Sequence, residues 1–382
     1  MTKPLSTTRK ALVVGGSLGG LFAATALRAV GWNVEIFERS PGVLDSRGGG
    51  IVLQGEVLRA LQFAQIPHAQ SLGVRSRNRS YFDRLGNDLS REYMPQTQTS
   101  WNLLYNTLMG SFPEENYHHG AKLTGIEQHD QGVTASFEDG SSAQGDLLIG
   151  ADGGDSAVRS LTMPGTSPSY SGYVAWRGLV DENKLPESAK ARIFEDFVFQ
   201  HDAESMMREY MVPGEDGSVQ SGHRRFNWLW YLKAACGPEL DAVLTDGDGR
   251  RRRHSVPPGA LAPDQDAWIR RMGKERLNPA FRALIDNTDE IFVQSIIDFQ
   301  VSKMVFGRVL LTGDAAFIPR PHTAGSTAKA AANAVALATA IAGNASLDEA
   351  LLRWQQQQVS EGIQMTKWGI DMGNRIMGIT RH

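Results

Sequence analysis

Gly15, Gly16, Ser17, Leu18, Gly19 and Gly20 make a glycine-rich turn, and Glu38 lies at the end of the next apolar run. Together these residues could hold a dinucleotide. Gly15 lets the chain turn sharply, and Gly20 lets the following helix pack closely on the sheet. The N–H groups at that helix start, with its dipole, suit a pyrophosphate. The Glu38 carboxylate suits a ribose diol and repels a 2′-phosphate, which favours FAD or NAD over NADP. Ser17 stands where the fingerprint has its second glycine, and its small side chain still permits close approach. Two more carboxylates follow apolar runs: Asp152 in Gly150-Ala151-Asp152-Gly153 and Asp314 after Gly313. A carboxylate at a strand end beside glycine can meet ligand hydroxyls. Arg47-Gly48-Gly49-Gly50 can bring backbone close to a flat ligand.

The pattern of apolar residues says what positions these groups. Ala11 to Val14 reads as a strand buried in a parallel sheet, Leu21 to Val30 as a helix, and Val34 to Phe37 as a second strand. Val57 to Phe63 and Trp101 to Phe112 have helical spacing, and Arg84-Leu85-Gly86-Asn87 reads as a hairpin turn. Lys122 to Glu138 reads as two strands around Asp130-Gln131-Gly132, and Asp146 to Ile149 as another. From Tyr170 the composition turns aromatic. Phe226-Asn227-Trp228-Leu229-Trp230-Tyr231 predicts a strand with rings on both faces, in a largely antiparallel sheet that walls a pocket. Asp241 to Asp248 and Pro257 to Pro263 read as loops, and Asp264 to Ile285 as helix interrupted at Pro279. Arg308 to Leu311 is a strand, Ala328 to Ala342 an alanine-rich helix, and Ser346 with Glu349 a capping box opening a last helix.

The 382 residues exceed one typical core, so two domains are expected. Net charge is −3, which offers no positive field for nucleic acid. The Arg250 to Arg253 run sits among Asp246, Asp248 and His254 and reads as a solvated loop. One cysteine, Cys236, excludes an intrachain disulfide and a cysteine-rich metal site. No metal-spaced cluster is evident. The polar, basic start is no signal peptide, and no apolar run reaches membrane-spanning length, so no membrane partner and a cytoplasmic location are expected.

The nucleotide unit, Gly150-Ala151-Asp152-Gly153 and Gly313-Asp314, in that order, resemble the single-component FAD-dependent aromatic hydroxylases of the p-hydroxybenzoate hydroxylase fold. The likeness covers roughly residues 10 to 355. Val13 to Ser17, Tyr170 to Gly178 and Gly313 to His322 resemble the branch acting on hydroxypyridines. The resemblance implies an α/β fold: an FAD-binding βαβ domain with an inserted, mainly antiparallel-sheet substrate domain and C-terminal helices. The FAD-binding domain would comprise residues 1–72, 100–169 and 296–345. Residues 73–99 would be a substrate-domain hairpin, 170–295 the substrate domain and 346–382 a helical segment.

The resemblance also implies roles. Gly15, Ser17, Gly20 and Glu38 would hold the ADP half of FAD, with Arg39 and Arg47 as further cofactor contacts. Asp152 would serve FAD and the nicotinamide, Asp314 the ribityl chain, and Pro321 would lie beside the isoalloxazine. The family's Gly-Gln-Gly-x-Asn is eroded to Gly325-Ser326-Thr327-Ala328; Trp101 replaces a frequent arginine, and Phe317 a frequent histidine. NADH or NADPH would reduce the flavin, and oxygen would give a C4a-hydroperoxide that hydroxylates an electron-rich ring. Only one nucleotide fingerprint exists, so the nicotinamide would bind transiently. Tyr210 and then His322 are the candidate catalytic residues at a substrate hydroxyl; His201 and His223 are weaker ones. A homodimer is compatible with the resemblance.

The expected substrate is a small hydroxylated ring. Uncharged hydroxypyridines rank above benzoates, because no arginine clamp stands out among Arg177, Arg208, Arg224 and Arg320. Larger polyketide, urate or isoprenoid substrates are the alternative within the class, and a non-enzymatic nucleotide-binding protein the alternative outside it. A flavin halogenase would need Trp-x-Trp-x-Ile-Pro, which Trp228-Leu-Trp-Tyr-Leu-Lys does not supply.

Overall fold

A computed structural model describes residues 9–42, 44, 49–68, 71–130, 132–343 and 346–380. A six-stranded sheet carries the nucleotide motifs. Its order is Val305–Phe306, Val309–Leu311, Leu147–Gly150, Lys10–Val14, Asn33–Glu38 and Tyr117–His119, parallel except for the first pair. The central strands are covered on both faces, which explains their unbroken apolar runs. Val14 lies opposite Gly150 and Phe37, and Gly150 opposite Leu311. The three motif loops therefore leave the same carboxyl edge side by side. That edge is where open α/β sheets bind ligands.

Helix Leu18–Ala29 packs against the Ser326–Ala342 helix, whose buried Ala330, Ala331, Ala334 and Ala338 allow close approach. The first helix begins earlier than expected, because Ser17 already has extended backbone and takes the N-cap position. Gly19 and Gly20 thus lie inside its first turn.

A second sheet of ten strands runs Ser255–Val256, Phe292–Gln300, Ser169–Asp181, Arg225–Lys233, Ser205–Val212, Asp196–Asp202, Val74–Phe82, Asp88–Ser100 and Gly50–Val52. The tenth, Phe317–Ile318, pairs with Phe299 and Gln300 and so ties the Asp314 loop to this sheet. Only the Val74–Phe82 and Asp196–Asp202 pair is parallel.

Its two faces differ. Trp176, Trp228 and Trp230 point outward into a core shared with Ile193, Ile269, Phe281 and Leu284 of the covering helices. The indole N–H groups of Trp228 and Trp230 donate to Thr288 Oγ1 and Ser205 Oγ, each at 2.9 Å. Those rings are therefore core and not pocket wall. Tyr173, Tyr210, Tyr231, Phe197 and Phe199 form the inner face. The loop expected at 241–248 begins as helix, since Pro238–Val243 is helical with Pro238 in its first turn.

The last helix, Leu347–Met377, runs well past the end of the expected likeness. A Cβ on Gly373 would stand 2.8 Å from Arg320 Nη1 and 2.5 Å from the Tyr173 hydroxyl. Mid-helix glycine costs roughly 1 kcal/mol relative to alanine, so this position is set by the close approach. Phe317, 1% exposed, fits under the same helix at Gly362, where an apolar ring serves better than an imidazole.

Candidate active site

At the nucleotide end Gly15 has φ +104°, and a Cβ there would meet the Ala151 carbonyl oxygen at 2.6 Å. Gly20 faces the Gly15 carbonyl. No side chain caps the helix after Ser17 or the one after Gly325, so both N-termini are open to an anion or a carbonyl oxygen. Glu38 is buried at the strand end and accepts from the N–H groups of Gly16 and Ser40, each at 2.8 Å. The Tyr117 hydroxyl donates to the Gly16 carbonyl at 3.0 Å. Arg39 is exposed; Arg47 lies outside the described residues.

The Asp152 carboxylate turns back on its own chain. It accepts from Ser156 Oγ at 2.5 Å, Ala157 N at 2.6 Å and Val158 N at 3.1 Å, which caps the Ala157–Thr162 helix. Burial raises its pKa. Arg159, 2% exposed, donates to the carbonyls of Gly154 at 2.5 Å and Ala315 at 3.1 Å, stitching the Asp152 loop to the Asp314 loop. Asp314 keeps its side chain 42% exposed. Behind it Lys329 is buried and donates to Asp314 Oδ1 at 3.2 Å, to the Gly313 carbonyl at 3.1 Å and to the Phe317 carbonyl. Burial pushes the Lys329 pKa down, and Asp314 opposes that shift. The Arg253 and His254 side chains reach Asp155 Oδ1 at 2.7 and 3.2 Å, so one arginine of the expected solvated loop bridges to the nucleotide edge.

His322 and Pro321 meet the inner face of the aromatic sheet. His322 Nε2 lies 2.9 Å from the Tyr173 hydroxyl, and its ring centroid is 4.4 Å from that of Tyr231. Burial pushes His322 down to about 3, with Arg208 and Arg320 acting in the same direction. The ring is therefore neutral near pH 7. Arg320 Nη1 donates to the Tyr173 oxygen at 3.4 Å, which leaves the tyrosine proton for His322 Nε2. This network assigns the remaining proton to Nδ1, which has no partner among the described residues. Arg320 is itself fixed by Asp298 at 2.7 and 2.8 Å and by Asn374 at 2.9 Å.

Tyr210 points to the same face, but its hydroxyl donates to the Gly50 carbonyl at 2.9 Å. The Gly50 N–H donates to Asn227 Oδ1 at 3.0 Å. The glycine pair 49–50 thus presses on the sheet beside Arg177 and Tyr210, where the glycine run was expected to approach a flat ligand. Arg208 Nη2 donates to the Pro321 carbonyl at 3.2 Å. His201 and His223 are exposed. Arg224 is bound by Glu182 and Glu195 and stands apart from this group. Trp101 stacks on Tyr105 with centroids 4.6 Å apart.

The structure thus unites His322, Pro321, Tyr173, Tyr231, Tyr210, Arg177 and Arg208. Sequence reading placed Tyr173 and Tyr231 in strands lining a pocket but gave them no role, and it missed Arg159 and Lys329 as site groups. The only signal for the tyrosines was their alternation with tryptophan along Tyr173 to Trp176 and Trp228 to Tyr231.

A family model described as FAD binding domain-like matches residues 170–298. The 2,6-dihydroxypyridine 3-monooxygenase of Paenarthrobacter nicotinovorans is 36% identical over 357 residues, covering 93% of this chain and 88% of that one. The chain belongs to the FAD-dependent aromatic hydroxylases. The solved 2,6-dihydroxypyridine-3-hydroxylase of Arthrobacter nicotinovorans superposes with a TM-score of 0.92 at 34% identity, covering 98% and 95% of the two chains. The 6-hydroxynicotinate 3-monooxygenase of Pseudomonas fluorescens is 25% identical over 361 residues, 87% of this chain and 83% of its own.

This hydroxylase is a monooxygenase that uses FAD and takes electrons from NAD(P)H. Its own residues fit the cofactor. The two uncapped helix starts, the tight Gly15 turn and the half-exposed Asp314 carboxylate all lie along the one sheet edge. No helix among the described residues is long and apolar enough to cross a membrane, and those residues hold no metal-binding cluster.

Proposed function

We propose that this hydroxylase acts on a small, single-ring hydroxylated aromatic, a hydroxypyridine first. The overall change is ring C–H plus O₂, NAD(P)H and a proton to ring C–OH, water and NAD(P)⁺. The supporting observation is the neutral, buried His322 beside Pro321, held against Tyr173 and Tyr231. When bound, FAD supplies the oxygen activation. The chain's own tasks are to hold the ring, orient its hydroxyl and exclude water.

His322 Nδ1–H would hydrogen-bond a ring oxygen. Tyr173 would set the imidazole's tautomer. Tyr210, spent on Gly50, would shape the pocket from its far side. Gly15, Ser17, Gly20, Glu38 and Arg39 would line the ADP end, and Arg47 would join them. Asp314 would meet the ribityl chain. Asp152 would act indirectly, by fixing the loop between them. The division into FAD-binding and substrate domains is supported by the separate six-stranded and ten-stranded sheets, although Gly50–Val52 of the first segment joins the latter. A cytoplasmic location is supported by the single, exposed Cys236. A homodimer is supported by Leu85, Leu89 and Tyr93, exposed on one hairpin.

The test is a compound panel scored for NAD(P)H use and product mass. Hydroxypyridines gaining one oxygen atom would support the reading. Oxygen entering only bulky polycyclic compounds would contradict it.

A further inference from the structure

The turn between His322 and the Ser326–Ala342 helix is built on a strained residue. Ala324 has φ +53° and ψ +17°, the left-handed region that L side chains adopt only at a cost. Among the described residues Gln65, Glu195 and Glu204 share that sign of φ, but only Ala324 lies in a loop leaving the carboxyl edge of the nucleotide sheet. Glycine stands one position further on. Gly325 has φ −98°, a backbone that other residues also adopt. Its missing Cβ instead leaves room for Met365 Sδ, 2.9 Å from where that atom would stand. Glycine is thus not placed where its freedom is needed, and contacts must hold Ala324 in this conformation.

Those contacts come from both domains. The Ala324 N–H donates to the Pro321 carbonyl at 3.1 Å, and Arg208 Nη2 donates to the same oxygen at 3.2 Å. Thr323 Oγ1 donates to the Arg320 carbonyl at 3.0 Å and accepts from the Gly325 N–H at 3.1 Å. The Ala324 carbonyl accepts from Gln54 Nε2 at 2.9 Å. Gln54 is 270 residues away in sequence. It is the N-cap residue of the Gly55–Phe63 helix, yet its side chain makes no cap bond there and reaches across to the turn instead.

Both ends of the braced turn belong to the site. His322 opens it, and the uncapped start of the Ser326–Ala342 helix closes it. A shift of Ala324 out of the left-handed region would swing the one against the other.

We propose that Gln54 is a positioning residue of the flavin site, whose amide holds Ala324 left-handed and thereby fixes the open helix start toward the cofactor. The proposal rests on FAD binding and not on which ring is hydroxylated. An open helix start favours negative charge, and so favours the reduced flavin.

The test uses the full-length enzyme, FAD-loaded and as apoprotein, and needs no aromatic substrate. Gln54→Ala removes the donor. Gln54→Glu keeps the side-chain length but presents only acceptor oxygens to the Ala324 carbonyl. Each should weaken FAD about threefold to tenfold in fluorescence titration of the apoprotein. Each should also shift the flavin absorbance bands and lower the flavin midpoint potential. Ala324→Gly removes the cost of the left-handed turn, so Gln54→Ala should lose less in that background than in wild type.

Wild-type spectrum, FAD affinity and potential in both Gln54 variants would overturn the proposal. A lower melting temperature with those three unchanged would make Gln54 a structural brace alone and would overturn it too. An equal loss in the wild-type and Ala324→Gly backgrounds would show that Gln54 does not act through Ala324, with the same consequence.

Discussion

The His322 imidazole and the Tyr173 hydroxyl, 2.9 Å apart, form a buried pair whose proton arrangement is set from outside. Arg320 donates to the tyrosine oxygen, the tyrosine donates to Nε2, and Nδ1–H is left for a ligand. Asp298 and Asn374 anchor Arg320, and Gly373 admits it under the last helix. Pieces from three distant stretches of chain therefore prepare one hydrogen-bond donor beside Pro321.

Removing that donor should damage catalysis more than binding. His322→Ala is expected to lower kcat by about 100-fold, the usual effect of losing one aimed donor. Tyr173→Phe should have a smaller effect in the same direction, because the imidazole remains but its tautomer is released. Steady-state product formation, read beside NAD(P)H consumption, checks both. Wild-type kcat in His322→Ala would place the residue outside the reaction.

His322 and Glu209 make stability depend on pH from opposite sides. His322 is pushed down to about 3 from an ordinary 6.5, so its contribution is whole above pH 6.5 and declines as pH falls toward 3. The loss approaches about 1.4 kcal/mol per pH unit in that window. Glu209 is fully buried, with neither carboxylate oxygen partnered among the described residues, and burial raises its pKa well above 4.5. Its contribution is whole below 4.5 and is lost as pH rises toward its folded-state pKa. Glu209→Gln should therefore raise the melting temperature at pH 8 and change it little at pH 4. A melting temperature that responds equally at both values would refute the assignment.

Lys329 and Asp314 should act as a unit toward the flavin. Asp314→Ala removes charge-assisted hydrogen bonds worth roughly 1.5–3 kcal/mol each, so FAD affinity should fall at least about tenfold. Lys329→Met frees the Gly313 and Phe317 carbonyls as well as Asp314. It should weaken FAD by a comparable factor and also lower the melting temperature of the apoprotein. Flavin fluorescence titration of the apoprotein measures the first effect. Unchanged affinity in Asp314→Ala would move that carboxylate away from the ribityl chain.

The nucleotide half of the fold is legible in the sequence for a physical reason. Ala11 to Val14, Leu147 to Ile149 and Val309 to Leu311 are buried on both faces, so they read as apolar runs wherever they begin. The glycines and acids that end them mark one carboxyl edge. The pocket is harder to read, because alternate residues of a strand serve opposite faces and a shift of one reverses the assignment. Trp228 and Trp230 thus looked equivalent to Tyr231 until the covering helices showed which face is core. Arg159 and Lys329 look in sequence like surface charges on helices; Arg159 is buried by the Ala315 loop far later in the chain, and Lys329 by the same loop just before its own helix. Gly373 reads locally as a helix weakness, and only the packing of Arg320 and Tyr173 gives it a purpose.

The central claim is hydroxylation of a small, single-ring hydroxylated aromatic. Its most direct test is turnover of 2,6-dihydroxypyridine under isotopically labelled oxygen gas with NADH or NADPH, followed by mass analysis of the product. The account predicts one labelled oxygen atom in the product for each NAD(P)H consumed. NAD(P)H oxidation that yields only peroxide, with dihydroxypyridine and other single-ring hydroxylated compounds recovered unlabelled, would contradict it.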